Sequence, residues 1–474
     1  MTKPNIIIIV LDALRAQNLG IYGYHIETAP FLSRLSRKGV VFTNAYATTD
    51  QTDPSFTTIL SGRYPLVHGI IRHGPDLTER EIKTFNATGT KLLQEFLKEN
   101  NYVTIAIDWL GRWHKRGFDI YASPSELYGK KPLTSPQKIS SSIMKLLTHT
   151  PNWSTYEKLY HILSRLGYYY DKSALSVFKA ATRLLEENIR NLKKPFFMLI
   201  HLWDTHTPLH DIPLFLVREF YDGKCSETVK DMAKRIKSKA WRELVLEYHL
   251  KGICCVDEVE PRYNAAIRHV DKALFNFITY LEERRLLENT YIVLTSDHGE
   301  NLIRNGIFIG HGGLFQRVLR VPLIILGPEI PQGKKVETPV QHVDIAPTLL
   351  HLVKAETPSN YYFDGRNMLE TLETGETLRD YVFAVSSTAR KRYAIIEDEI
   401  KYVYSPSLED AMDKYGGIWF NNVEELYDLR VDQDDSYNLV YDKPDIAKEM
   451  RAKLISIEKR LIRTRLRLIL IVKT

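Results

Sequence analysis

The chain is 474 residues long, 44% hydrophobic and 26% charged, with a net charge of +6 from 64 basic and 58 acidic side chains. These values fit an ordinary water-soluble globular protein of about two domains; they suit an anionic substrate and give no reason to expect nucleic acid. The three cysteines, Cys225, Cys254 and Cys255, form no CxxC pair and cannot all pair with one another, which argues against a disulfide scaffold and for a reducing, cytoplasmic setting. The chain opens without a charged, apolar leader, and no apolar run reaches the roughly 20 residues of a membrane span.

The first predicted element is a strand, Asn5–Leu11, which runs into Asp12. A helix-like stretch from Thr28 stops at Gly39. Within Gln51–Arg63, Asp53 reads as a helix N-cap, Pro54 as the first helical position and Gly62 as the C-terminal stop, so a short helix should begin just after Thr52. Then follow a strand at Val103–Ile107, a helix from Ser173 to about Arg190, and a strand at Phe196–Leu202 that runs into Trp203-Asp204-Thr205-His206. A helix over Tyr263–Arg285 and a strand at Tyr291–Thr295 lead to Ser296-Asp297-His298-Gly299. Val321–Leu326 reads as a strand and Asp344–Leu350 as a helix.

The polar, aromatic stretches 125–170 and 209–260 read as helical insertions shaping the substrate opening. From about 380 the texture changes to short strands (Tyr381–Val385, Tyr393–Ile396, Tyr402–Tyr404) and then a helix from Pro444. The expected division is therefore a catalytic α/β domain over 1–378 and a smaller α+β domain over 379–474. The basic, aliphatic end from Lys459 could lie on an anionic membrane; the plainer reading, adopted here, docks it on the protein with its arginines in water.

Apolar runs without polar alternation are strands buried on both faces of a parallel sheet. Ligand sites of such sheets lie off the carboxyl ends of the strands, where three of these runs deliver Asp and His. Thr52 falls beside the free N–H groups of a helix start, a natural anion site. A helix N-terminus contributes at most about 2 kcal/mol, or about 1.5 pKa units, far too little to ionise an alcohol. A bound metal can do more, since zinc lowers the pKa of water from about 15.7 to about 7. Thr52 as a nucleophile therefore needs a divalent cation, and the Asp and His strand ends are the place for one. Taken singly, each residue has an ordinary structural reading: Asp12 as a cap, His201 as a strand residue, His311 in a turn, Arg112 on the surface.

Taken in order, the motifs resemble a sulfatase of the alkaline phosphatase superfamily. They are Pro4-Asn5 through Leu11-Asp12-Ala13-Leu14-Arg15, Asp53-Pro54-Ser55 with Ser61-Gly62-Arg63-Tyr64-Pro65 and His68-Gly69, and Gly111 to Asp119. Asp204-Thr-His-Thr-Pro208, Ser296-Asp-His-Gly-Glu300, Gly310-His-Gly312 with Arg320-Val-Pro322, His342 to Thr348 and Glu425 to Leu429 with Asn438-Leu439 complete the series. The resemblance implies a large, mostly parallel sheet between helices. It also implies metal ligation by Asp12, Thr52, Asp297 and His298, with Thr52 at the nucleophile position. His206 and His311 would contact the ester oxygens or the leaving group, and Arg112 and His114 fall on a substrate-binding segment. A second metal on Asp204, His206 or His210, and His311 is a further option that phosphatase branches use.

Two departures matter. Formylglycine requires Cys or Ser in a Cys/Ser-x-Pro-x-Arg context, whereas this chain has Thr52-Asp-Pro-Ser-Phe56, so no formylglycine is expected. Ala13 stands where many sulfatases have a second acid, leaving an oxygen-poor set that suits Mn, Zn or Mg better than Ca. The implied activity is metal-dependent hydrolysis of phosphate mono- or diesters through a covalent Thr52 intermediate, on an anionic small-molecule, glycan or lipid ester. The alternatives are a sulfuric ester hydrolase working without formylglycine and an inactive binding protein on the same scaffold. A phospholipid head-group transferase is disfavoured because nothing spans a membrane. Oligomeric state is left open.

Overall fold

A computed structural model describes residues 3–127, 145–165, 173–189, 194–209, 211–303, 309–411 and 422–473. Among these, nine strands form one sheet: β1 (Asn5–Leu11), β2 (Gly39–Tyr46), β3 (Val103–Ile107), β4 (Ile120–Ala122), β5 (Phe196–Leu202), β6 (Thr290–Thr295), β7 (Arg320–Leu326), β8 (Lys334–Val336) and β9 (Val340–Gln341). Their order is β4-β3-β5-β1-β6-β7-β2-β8, with β9 also on β2. β7 runs antiparallel to both β6 and β2; the other pairings are parallel.

The uninterrupted aliphatic runs explain the layering. In β1, Ile7, Ile9 and Leu11 enter one core with the helices Ala174–Ile189 and Val259–Glu283, while Ile6, Ile8 and Val10 enter the other with the helix Thr52–Ser61. A strand with period-two side chains and helices on both faces must be apolar at every position. β1 lies between β5 and β6, with Leu11 opposite Leu202 and Val10 opposite Thr295. The carboxyl ends of these three strands therefore open side by side on one edge.

A second, four-stranded antiparallel sheet follows in the order β10 (Val382–Val385), β11 (Tyr393–Glu397), β12 (Ile400–Tyr404), β13 (Glu424–Asp428). The helix Pro444–Lys473 packs on it through Met450, Leu454, Ile457 and Leu461. Sequence reading missed β2, β4, β8, β9 and β13: Thr43-Asn44 interrupts β2, β4, β8 and β9 are only two or three residues long, and β13 begins and ends in acids. The expected insertion over 125–170 falls partly outside the described residues; its described parts include the helix Trp153–Arg165. The insertion over 209–260 is built of short helices.

One expectation is overturned here. Cys225 and Cys255 form a disulfide across 30 residues, and Cys254 stays free. A β-bridge between Thr228 and Cys255 brings the two segments together, a contact that sequence spacing cannot reveal. The chain's end docks on the protein through Leu461 and Leu468 with Arg463 and Arg467 in water, as expected, while Leu466, Leu470, Ile471 and Val472 remain exposed.

Leu454 is fully buried between the last helix and the second sheet. Leu454→Ala should destabilise that unit by about 2–5 kcal/mol, read as a lower midpoint in urea unfolding.

Candidate active site

Three strand ends and one helix start build the site. Asp12 follows β1 directly, its N–H donating to the Leu202 carbonyl at 2.8 Å, so the ladder with β5 fixes its backbone. The next residue, Ala13, has φ of 61°, a strained conformation for a residue with a Cβ. That turn aims the Ala13 N–H at Asp297 Oδ1, 3.1 Å away. Gly299 is obligatory nearby, because a Cβ there would lie 2.0 Å from the Arg317 carbonyl oxygen.

Asp12, Asp297 and His298 converge, with ligand atoms all within 4.8 Å of one another. Each is buried, and among the described residues Asp12 Oδ1 and Asp297 Oδ2 have no hydrogen-bond partner. His298 Nδ1 lies 2.9 Å from the Gly299 carbonyl. A carbonyl only accepts, so Nδ1 carries the proton and Nε2 keeps its lone pair for the cluster. Two orphaned carboxylate oxygens and a free imidazole nitrogen are a donor set that fits a divalent cation.

The charges agree with this. Burial pushes the Asp297 carboxyl up and the His298 imidazole well down. For Asp12, burial and the Asp297 charge raise the carboxyl, but His206, His201 and His298 outweigh them and hold it below the usual range. Two neighbouring acids resist joint ionisation, and a cation between them removes the conflict.

Thr52 opens the helix Thr52–Ser61, and its Oγ1 lies 3.4 Å from His298 Nε2. The helix starts two residues earlier than the sequence suggests: Gln51, not Asp53, is the cap position and Thr52, not Pro54, the first helical residue. Gly62, with φ of 65°, is the stop as expected. Ser55 Oγ donates to the Asp297 carbonyl at 2.7 Å, which ties the first turn to the end of β6.

Asp53 instead gathers the residues expected to bind substrate. Arg112 Nη2 reaches it at 2.5 Å, His73 Nδ1 at 2.8 Å and His114 Nε2 at 3.1 Å. His114 is fully buried, whereas Arg112 still lines the cavity over Thr52. Burial alone would raise the Asp53 carboxyl, but the hydrogen bonds from His114 and His73, reinforced by their charges, hold it far below its usual value.

His206 and His311 stand side by side, ring centres 5.1 Å apart, and His311 stacks on His298 at 4.2 Å. His311 Nδ1 donates to the Asp50 carbonyl at 2.8 Å, and His206 Nδ1 to the Thr207 carbonyl. Both rings thus have Nε2 available. Burial, with His311 and His298 nearby, pushes His206 down to about 3 against the pull of Asp12. Asp204 does not join this group: its Oδ1 lies 2.8 Å from His269 Nδ1 and accepts from the Ala174 N–H. His210 lies outside the described residues.

Sequence reading passed over His201. Its Nδ1 is 2.8 Å from Asp108 and its Nε2 3.4 Å from Asp12; although burial lowers it, hydrogen bonds to Asp108 and then Asp12 carry it up to about 10. Trp109 stacks on both His201 and Trp203, at 4.3 and 5.1 Å. The available signal was Asp108-Trp109, an acid and a ring at the end of β3, next to β5.

Two hollows meet at His73. One of about 380 Å³ holds Asp12, Thr52, His206, Trp109, Trp203 and Arg112. The other, of about 690 Å³, runs past His311, Arg72 and Arg390 to Trp241, Leu244 and His249 of the 209–260 insertion.

Residues 4–355 match the family model described as Sulfatase. The chain belongs to the sulfatase family. Among curated sulfatases it is similar to one of Formosa agariphila, 23% identical over 87% of this chain and 81% of that protein. It is also similar to an N-acetylglucosamine-6-O-sulfatase of Bacteroides thetaiotaomicron, 23% identical over 96% and 86%. Among solved structures, the phosphonate monoester hydrolase of Agrobacterium radiobacter superposes with a TM-score of 0.70 at 20% identity, covering 97% of this chain and 96% of that one. At that identity the likeness is one of fold. As a sulfatase-family member, the chain is a hydrolase acting on ester bonds.

The Asp53 cluster yields a stability test. A carboxyl depressed in the folded state stabilises fully above its free value of about pH 4, and the gain is lost as pH falls toward the folded value. Asp53→Asn should therefore cost about 3 kcal/mol at pH 7, and the deficit should shrink below about pH 4, measured by urea unfolding across that range.

Proposed function

We propose that this sulfatase-family hydrolase cleaves phosphate mono- or diesters with Thr52 as the nucleophile. The observation that carries the reading is the Thr52 hydroxyl at the helix start, 3.4 Å from His298 Nε2, in a segment with no residue that could become formylglycine. Asp12, Asp297 and His298, with Thr52 itself, would hold the cation; Mn, Zn or Mg suits two carboxylates, an imidazole and an alcohol. When bound, such a cation lowers the pKa of the Thr52 hydroxyl and draws charge from the ester oxygens.

The chain's own residues would do the rest. Thr52 Oγ attacks phosphorus and gives its proton to solvent; the Oγ–P bond forms as the bond to the leaving oxygen breaks. The N–H groups of the helix start face the phosphoryl oxygens. One of His206 and His311 protonates the leaving oxygen through Nε2, its Nδ1 being held by a carbonyl. An anionic ester beside His206 opposes the effect of burial and favours the protonated ring. Water then hydrolyses the Thr52 ester and restores the hydroxyl. The leaving group would rest against Trp109 and Trp203 or extend into the larger cleft, which suits a glycan, lipid or small anionic ester.

A second reading is direct hydrolysis of sulfate esters through the same Thr52. The relatives named as sulfatases support it.

Phosphate monoester, phosphate diester and sulfate ester substrates assayed on one preparation separate the readings. Turnover of phosphate esters with a phosphorylated Thr52 peptide in the mass spectrum is the expected result; turnover of sulfate esters alone would overturn the preference for phosphorus. Thr52→Ala should lower kcat by about 10³-fold or more.

A test of the cation needs no substrate. A metal at about 100 times its Kd stabilises the native state by about 2.7 kcal/mol. EDTA treatment should lower the thermal midpoint of the protein and leave that of Asp297→Ala unchanged.

A further inference from the structure

The helix Pro444–Lys473 has two different halves. Ala447, Met450, Leu454, Ile457 and Leu461 are buried on the second sheet. Further on, Leu466, Leu470 and Ile471 are 53%, 65% and 62% exposed, three of the six residues from 466 to 471. Scattered exposed aliphatics need no explanation, but a contiguous set on one helix end does.

The surrounding charge says what covers it. Lys459, Arg460, Arg463, Arg465, Arg467 and Lys473 lie in the same stretch, and no acid follows Glu458. Arg463 and Arg467, like Leu466 and Leu470, are four residues apart and lie along one side of the helix. Arg463 and Arg467 are exposed. The opposite side is anchored: Val472 Cγ2 lies 2.8 Å from the position a Gly89 Cβ would take, and Ile469 borders the helix Glu79–Ala87. The exposed side of Arg463, Leu466, Arg467 and Leu470 is thus held outward by the body of the protein.

We propose that this stripe seats on an anionic lipid surface, with the aliphatics entering the headgroup boundary and the arginines pairing with lipid phosphates. A second copy fits less well, because a twofold contact of this patch with itself would set arginines against arginines. Nucleic acid would satisfy the arginines and leave the aliphatics in water. No helix among the described residues is long and apolar enough to cross a membrane, so the helix would lie on the bilayer. The inference is independent of the ester chemistry.

The test is co-sedimentation of the full chain with vesicles of phosphatidylcholine alone or mixed with phosphatidylglycerol. Binding to the mixed vesicles only, and release at about 1 M salt, where the Debye length is about 3 Å, is the expected result. Leu470→Ser/Ile471→Ser and Arg463→Ser/Arg467→Ser should each weaken partition about tenfold or more, with melting as in the parent. A parent that stays in the supernatant, or either double variant binding as the parent does, overturns the proposal. So does a parent that ignores vesicles but elutes as a dimer that Leu470→Ser/Ile471→Ser converts to monomer.

Discussion

Everything at this site depends on two buried carboxylates aimed at one another. Asp12 and Asp297 arrive on adjacent strands, and each keeps one oxygen without a hydrogen-bond partner among the described residues. Like charges in a low-dielectric pocket repel strongly, so the fold holds this arrangement against its own electrostatics. The left-handed Ala13, the glycine at 299 and the Ser55 hydroxyl on the Asp297 carbonyl all fix that pair in place. Under the proposed reading, a positive ion would resolve the repulsion and draw in Thr52, whose Oγ1 lies 3.4 Å from His298 Nε2.

The family gives the reaction class, and the nucleophile position is where this chain diverges. A formylglycine is an aldehyde hydrate, already equipped with a second hydroxyl that can expel the product. As the proposed nucleophile, threonine has one oxygen and would release the bound group by attack of water on the ester. Under that reading the two hollows that share His73 would let water enter as the leaving group departs.

Much of this was legible in the chain. Unbroken aliphatic runs revealed the strands and their burial on both faces, and their last residues revealed which edge carries the chemistry. Ordered motifs picked out Asp12, Thr52, Asp297 and His298, which the fold brings together. What failed was side-chain partnership. Asp53 looked like a cap because Asp before Pro commonly is one, yet it pairs with Arg112, His114 and His73. His201 looked like a strand residue because its partners Asp108 and Asp12 lie on neighbouring strands. Asp204 points to His269, 65 positions away in the sequence. Local patterns report backbone state, and long-range pairing has no local signature.

The Asp53 knot also changes what an incoming molecule meets. A rim that carries Arg112 and His73, with His114 buried behind them, reads as attractive to anions, but the acid at its base already pairs with all three. Under the proposed reading, the pull on a negative ester would come mainly from the ion held by Asp12, Asp297 and His298, and Trp109 and Trp203 would sort visitors by ring stacking and shape.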